Sequence, residues 1–184
     1  YPAPGSPALA SELTQLHQEG IISADHQWGF DHGTWSILLH MFPQADIPVL
    51  QLSLDYSLSA QAHYDLARQL ASLRKRGVLI LGSGNLVHNL RLVNWRNPQD
   101  AFPWALEAQD KFDTLILQGR HRELANFGTL GKEVQMAVPT PEHYLPALYI
   151  LALQDKNDKI TLFNNKTVMG SVSMTSFIIQ SSIN

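Results

Sequence analysis

The chain has 184 residues, 45% hydrophobic and 16% charged, a composition that folds into an apolar core and excludes an intrinsically disordered protein. Its 13 Lys and Arg against 16 Asp and Glu leave a net charge of −3, which gives no electrostatic reason for nucleic-acid binding, and no apolar run approaches the roughly 18 residues needed to span a membrane. Cysteine is absent, so disulfides, thiolate metal sites and Cys–His nucleophiles are excluded, and any metal must be held by Asp, Glu or the eight His.

Tyr1-Pro2-Ala3-Pro4-Gly5 carries no initiator Met and no signal-peptide pattern, and reads as the interior of a longer protein. Ser6 caps a predicted helix from Pro7, with Ala8, Leu9, Leu13 and Leu16 at helical spacing and Gly20 as its stop. A short helix is predicted over Ser36 to Met41, and Ile47 to Ser53 reads as a buried strand. Ser59 opens a helix with Leu66, Leu70 and Leu73 inward and Arg74, Lys75 and Arg76 at its carboxyl end, where cations suit the helix dipole. Gly77 stops that helix, and Val78 to Leu81 is an apolar run of strand length.

Strand, amphipathic helix and strand in succession form the pattern of a parallel βαβ unit. Residues 94 to 102 read as a loop, Pro103 to Gln118 and Glu142 to Leu153 as helices, and Ile160 to Phe163 and Val172 to Ile179 as closing strands. The expected fold class is α/β, with a central, mostly parallel or mixed sheet flanked by helices. No repeat or linker divides the chain, so residues 1–184 read as a single domain.

Three motifs can carry chemistry. Trp28-Gly29-Phe30-Asp31-His32-Gly33-Thr34-Trp35 sets an acid–imidazole pair between glycines before a helix, and composition alone favours an ordinary helix-cap region with aromatic packing. Gly82-Ser83-Gly84-Asn85-Leu86-Val87-His88-Asn89 follows an apolar strand-like run, the position where open α/β sheets bind ligands. Val87 stands where a dinucleotide loop would need its third glycine, so that reading fails. In Pro139-Thr140-Pro141-Glu142-His143-Tyr144-Leu145-Pro146, Glu142 suits the first turn of a helix, whereas His143 has no such capping explanation. His17, His63 and His121 lie among polar or charged neighbours and are expected to be solvated; His26 is loop-bound, and His40 is expected to pack. No H-E-x-x-H zinc motif and no G-x-S-x-G elbow occurs.

In this order and spacing the motifs resemble class III extradiol ring-cleavage dioxygenases of the protocatechuate 4,5-dioxygenase type, in the 4,5-DOPA branch. The resemblance is carried by YPAPGSPALA, WGFDHGTW, DIPVLQLSLD, GSGNLVHNLR, PTPEHYLPALY and GSVSM, over nearly the whole chain. It implies a catalytic-type domain with a mononuclear non-haem metal that opens a catechol ring, in a DOPA-like substrate, with O2 beside the two hydroxyls. Fe(II) is the metal expected for oxygen chemistry, and Zn(II), which has no redox chemistry, also suits such a site.

Carried onto this chain, the resemblance makes His88 and His143 metal-site residues, with Glu142 as the alternative carboxylate ligand. His88 is alternatively the acid–base group for the catechol proton, since imidazole titrates near neutrality. His32 matches a residue that bonds substrate or oxygen, with Asp31 beside it to orient it. The family's H-G-S-P and A-H-W metal segments, within about 80 residues preceding Y-P-A-P-G, are not found in these 184 residues. On that pattern the portion is expected to be catalytically incomplete by itself. The competing readings are a zinc-dependent hydrolase using the same histidines and a non-catalytic remnant that binds an aromatic acid or a partner. Further expectations are a cytoplasmic location, a catechol-type ligand with O2, no nucleic-acid or membrane partner, and assembly either as a homo-oligomer or with a missing amino-terminal segment.

Overall fold

The protein is described by a computed structural model covering residues 1–16 and 21–181. The predicted stop at Gly20 and the expected solvation of His17 lie outside the described residues. The chain divides into two compact units, Tyr1–Leu54 and Asp55–Asn184.

The first unit holds helices α1 (Pro7–Leu16) and α2 (His32–Met41). Helix α1 begins at the proline the sequence nominates. Helix α2 starts four residues before the expected Ser36, because the Asp31 carboxylate caps it by accepting from the Thr34 N–H at 2.8 Å. Long-range bonds within the unit include the Tyr1 hydroxyl donating to the Phe42 carbonyl at 2.7 Å and the Val49 N–H donating to the Pro4 carbonyl at 2.9 Å.

The second unit is mainly helical. Ser59 accepts from the Ala62 N–H and starts α3 (Ala60–Arg68) as expected. The single helix predicted to run on to Arg76 divides, however, into α3 and the short α4 (Ala71–Arg74). Leu66, Leu70 and Leu73 are all buried, so the inward stripe survives the break. Arg74 reaches the Leu153 carbonyl and the Asp158 carboxylate, the latter at 2.6 Å. Gly77, at φ 77°, takes the left-handed turn that ends the segment.

Helix α5 (Pro103–Leu117) opens on proline and buries Ala105, Ala108, Phe112, Leu115 and Ile116. Against it pack α6 (His121–Ala125) and α7 (Lys132–Ala137), while α8 (Leu145–Ala152) packs on α3 and α6. Tyr144 is 1% exposed and donates to the Leu124 carbonyl at 2.9 Å, while its ring sits 5.2 Å from Phe112 and 4.8 Å from Phe127. An aromatic cluster whose one hydroxyl is satisfied is a stable way to fill such a core.

The sheet differs from expectation. Strand β1 (Asp158–Phe163) pairs with β4 (Ser176–Ser181), and β2 (Thr167–Val168) pairs with β3 (Val172–Ser173); both pairings are antiparallel. The predicted strand Val172 to Ile179 is thus two strands in different sheets. Residues 47–53 and 78–81 belong to no ladder among the described residues, and Leu79 and Leu81 are 63% and 47% exposed. The apolar character of those runs was legible, but a strand also needs a neighbour for its N–H and C=O groups, and the sequence of the run does not contain one. The protein is α/β in composition of elements, with two small antiparallel sheets in place of a central parallel one. No helix among the described residues is long and apolar enough to cross a membrane.

Three histidine expectations are corrected. His63 is fully buried: one ring nitrogen meets the Tyr149 hydroxyl at 2.9 Å and the other the Asp55 carbonyl at 3.0 Å. His121 is half-buried, with its Nδ1 3.0 Å from the Tyr64 hydroxyl. His40 is exposed and does not pack. Polar sequence neighbours misled the first two readings, because helix neighbours in space are three and four residues apart or on another element.

Candidate active site

The second and third motifs meet within the second unit, and the segment from Ser171 to Ser173, which includes β3, lies on the other side of the second motif. The Asn85 N–H donates to the His143 carbonyl at 2.8 Å, and the His88 N–H to the Ala137 carbonyl at 2.8 Å. On the other side, the Ser173 N–H donates to the Val87 carbonyl at 2.9 Å, and the Asn89 N–H to the Ser171 carbonyl at 3.1 Å. His88 also forms an isolated antiparallel bridge with Val172. The 82–89 loop therefore lies between two backbone segments and bonds to both.

Glycine makes this approach possible. A Cβ on Gly82 would stand 2.7 Å from the Pro146 carbonyl oxygen and 2.9 Å from an Ile150 side-chain carbon, and one on Gly84 would overlap the His143 carbonyl outright. Neither glycine needs a positive φ; what they supply is space.

The result is a pair of imidazoles. The His88 and His143 rings stack with centroids 3.6 Å apart and planes 17° from parallel. Burial holds the His88 imidazole below its usual pKa, the neighbouring His143 pushes it further down, and Glu142 pulls it partly back. A stack this close is best made when the two rings do not both carry charge. Burial pushes the Glu142 carboxyl up, but the Thr140 hydroxyl, its own backbone N–H and the two imidazoles outweigh that and hold it below the ordinary carboxylate range. The Thr140 hydroxyl donates to Glu142 Oε1 at 2.7 Å.

The first motif sits in the other unit. His32 is exposed at the first position of α2. Asp31 serves as the cap of α2, and its N–H donates to Gln51 Oε1 at 2.9 Å, an oxygen that also accepts from the Thr34 hydroxyl at 2.8 Å. The capping account of Asp31 is thus realised in the structure.

Two imidazoles are donors that a divalent ion accepts, but a catalytic zinc centre takes three protein ligands and an open position. Among the described residues no group of three or more His, Asp or Glu is arranged to hold a metal. His88 and His143 fall short of a complete donor set.

Asn85, Asn89, Ser171 and Ser173 were not singled out from sequence. The signal was their position beside the glycines and the imidazole, since amide and hydroxyl side chains in tight loops commonly bond backbone groups.

Residues 1–177 match the family model described as the catalytic LigB subunit of aromatic ring-opening dioxygenase. The chain is 44% identical to a 4,5-DOPA dioxygenase extradiol of Escherichia coli (strain K12), over 96% of this chain and 66% of that protein. It is 35% identical to a 4,5-DOPA dioxygenase extradiol of Beta vulgaris, over 96% of this chain and 67% of the relative. Among solved structures, it is similar to a crystal structure of an uncharacterized Escherichia coli K12 protein, with TM-score 0.87 and 43% identity, covering 96% of this chain and 74% of that one. The chain spans about two thirds of the length of these two curated relatives.

Proposed function

Because the chain belongs to the family of the catalytic LigB subunit of aromatic ring-opening dioxygenase, we propose that it serves extradiol cleavage of a catechol ring by O2, with a DOPA-like substrate. The observation that carries this reading is the convergence of two family motifs on one stacked imidazole pair, His88 and His143. In this reading the pair contributes to binding one divalent metal, together with donors outside the described residues. Fe(II) is the working ion, because activating O2 needs a redox-active metal and Zn(II) has no redox chemistry. Glu142, next to His143 in sequence, is the alternative ligand. His88 is the alternative acid–base group for a catechol proton, a task for which a group titrating near neutrality is suited.

His32 is assigned to substrate or oxygen binding, with Asp31 as the residue that starts its helix. The extended runs 47–53 and 78–81 are read as strands of a central, mostly parallel or mixed sheet. A cytoplasmic location fits this chemistry.

The test is oxygen uptake. A protein that carries this chain together with the remaining third of its relatives' length, loaded anaerobically with Fe(II) and given DOPA, should consume O2 and turn yellow when oxygen is admitted. Metal-dependent ester or amide hydrolysis without oxygen uptake would replace the proposal with a hydrolase, and no metal-dependent turnover at all would leave a binding protein. His88→Ala and His143→Ala should each lower metal affinity or turnover by about tenfold or more, as loss of a metal-shell group does. Normal activity in His143→Ala with loss in Glu142→Gln would transfer the ligand role to the carboxylate.

A further inference from the structure

Two asparagines flank His88, and each reaches across to a different backbone segment with its side-chain amide. Asn85 Nδ2 donates to the Ser173 carbonyl at 2.7 Å, while the same residue's N–H holds the His143 carbonyl. Asn89 Nδ2 donates to the Met136 carbonyl at 2.7 Å, its carbonyl accepts from the Ser171 hydroxyl at 2.8 Å, and its Oδ1 accepts from the Arg91 N–H at 3.2 Å. Asn89 is 7% exposed, and Ser171 and Ser173 are 0% and 1% exposed, so the Ser171–Asn89 bond is buried, while the bonds from the two asparagine amides are part-buried.

The geometry points to Asn85 and Asn89 as positioning residues that set how the His88 ring lies against His143. Asn85 is the more direct of the two, because one residue ties the His143 backbone to the Ser173 backbone three positions before the His88 ring. Its amide suits the place chemically. The Ser173 carbonyl needs a donor, and asparagine supplies one without adding charge beside two imidazoles. An Asp would present an acceptor to an acceptor, and a Lys would oppose any cation the imidazoles receive. Seven long-range backbone and side-chain bonds thus converge on residues 85 to 89, and the side-chain bonds are the ones that substitution can remove singly.

The inference rests on the reading of His88 and His143 as active-site groups, but its test needs no turnover. In the parent chain the imidazole protons of His88 and His143 should give a ring-to-ring nuclear Overhauser effect and mutually shifted resonances. Asn85→Asp keeps the size and the backbone N–H bond, and Asn85→Ala removes the side-chain donor without adding charge. Both should lose the effect, keep the parent's far-ultraviolet circular dichroism, and melt within about 5 °C of it. Zn(II), titrated in and read on the same two rings, should bind about tenfold more weakly in both variants. Retention of the effect and of Zn(II) affinity in either variant would overturn the proposal. So would their loss only in variants that have unfolded, which would make Asn85 a folding residue. Failure of oxygen uptake with these results intact would count against the dioxygenase reading alone.

Discussion

Gly84 and His143 are in contact so close that residue 84 can carry no side chain: a β-carbon there would overlap the His143 carbonyl oxygen. Backbone meets backbone, so no flexible group can move aside. Gly84→Ala should therefore break the bond from the Asn85 N–H to His143 and destabilise the second unit by about 1–3 kcal/mol in urea denaturation. Gly29→Ala, where the added carbon meets nothing within 4 Å, is the control and should change stability by less than about 0.5 kcal/mol. Equal effects from the two would refute the steric account.

His63 and Tyr149 form a buried polar pair whose proton arrangement follows from the partners. The Asp55 carbonyl can only accept, so Nε2 of His63 carries the hydrogen and Nδ1 accepts from the Tyr149 hydroxyl. Burial, helped by the Asp55 charge, pushes the Tyr149 hydroxyl up to about 12, so it remains protonated throughout the physiological range. Tyr149→Phe leaves Nδ1 without a donor inside the fold and should cost about 1–3 kcal/mol, measured by thermal or chemical unfolding. A change below about 0.5 kcal/mol would mean that another group satisfies the ring.

Asp31 permits a clean separation of roles. Asp31→Ala removes the cap from α2 and should cost the first unit about 0.5–2 kcal/mol. Asp31→Asn retains an acceptor for the Thr34 N–H and should preserve most of that stability. If Asp31→Asn nevertheless abolished oxygen uptake, the carboxylate charge would have a role beyond the cap; unchanged uptake would leave Asp31 as a helix cap only.

The burial of His121 should make the fold sensitive to mild acid. Burial holds its pKa below the ordinary imidazole value of 6.5, with the Gln154 side chain opposing in part, so the folded state favours the neutral ring. Below 6.5 the unfolded chain binds more protons than the folded one, and stability falls as pH drops through the window between 6.5 and the lowered folded value. A His121 resonance titrating below 6.5, and a shallower loss of stability over that window in His121→Gln, are the expected results. A midpoint at or above 6.5 would contradict the burial account.

The amino-acid sequence by itself determined the elements whose causes are local. Ser59 and Pro103 start helices where expected because a cap or a proline acts within one turn, and the Leu66, Leu70 and Leu73 stripe is a property of spacing. The motifs around His32, His88 and His143 were likewise visible as patterns. Tertiary structure alone decided what those patterns do. It divided one helix at Gln69, left 47–53 and 78–81 without ladder partners among the described residues, and buried His63 despite its polar neighbours. It also brought His88 and His143, 55 positions apart, into a stack held by Gly84 and Asn85. The physical reason is the same in each case: a cap or a helix stripe is satisfied by residues a few positions away, whereas a strand's hydrogen bonds, a buried imidazole and a ring stack are satisfied by partners that only folding supplies.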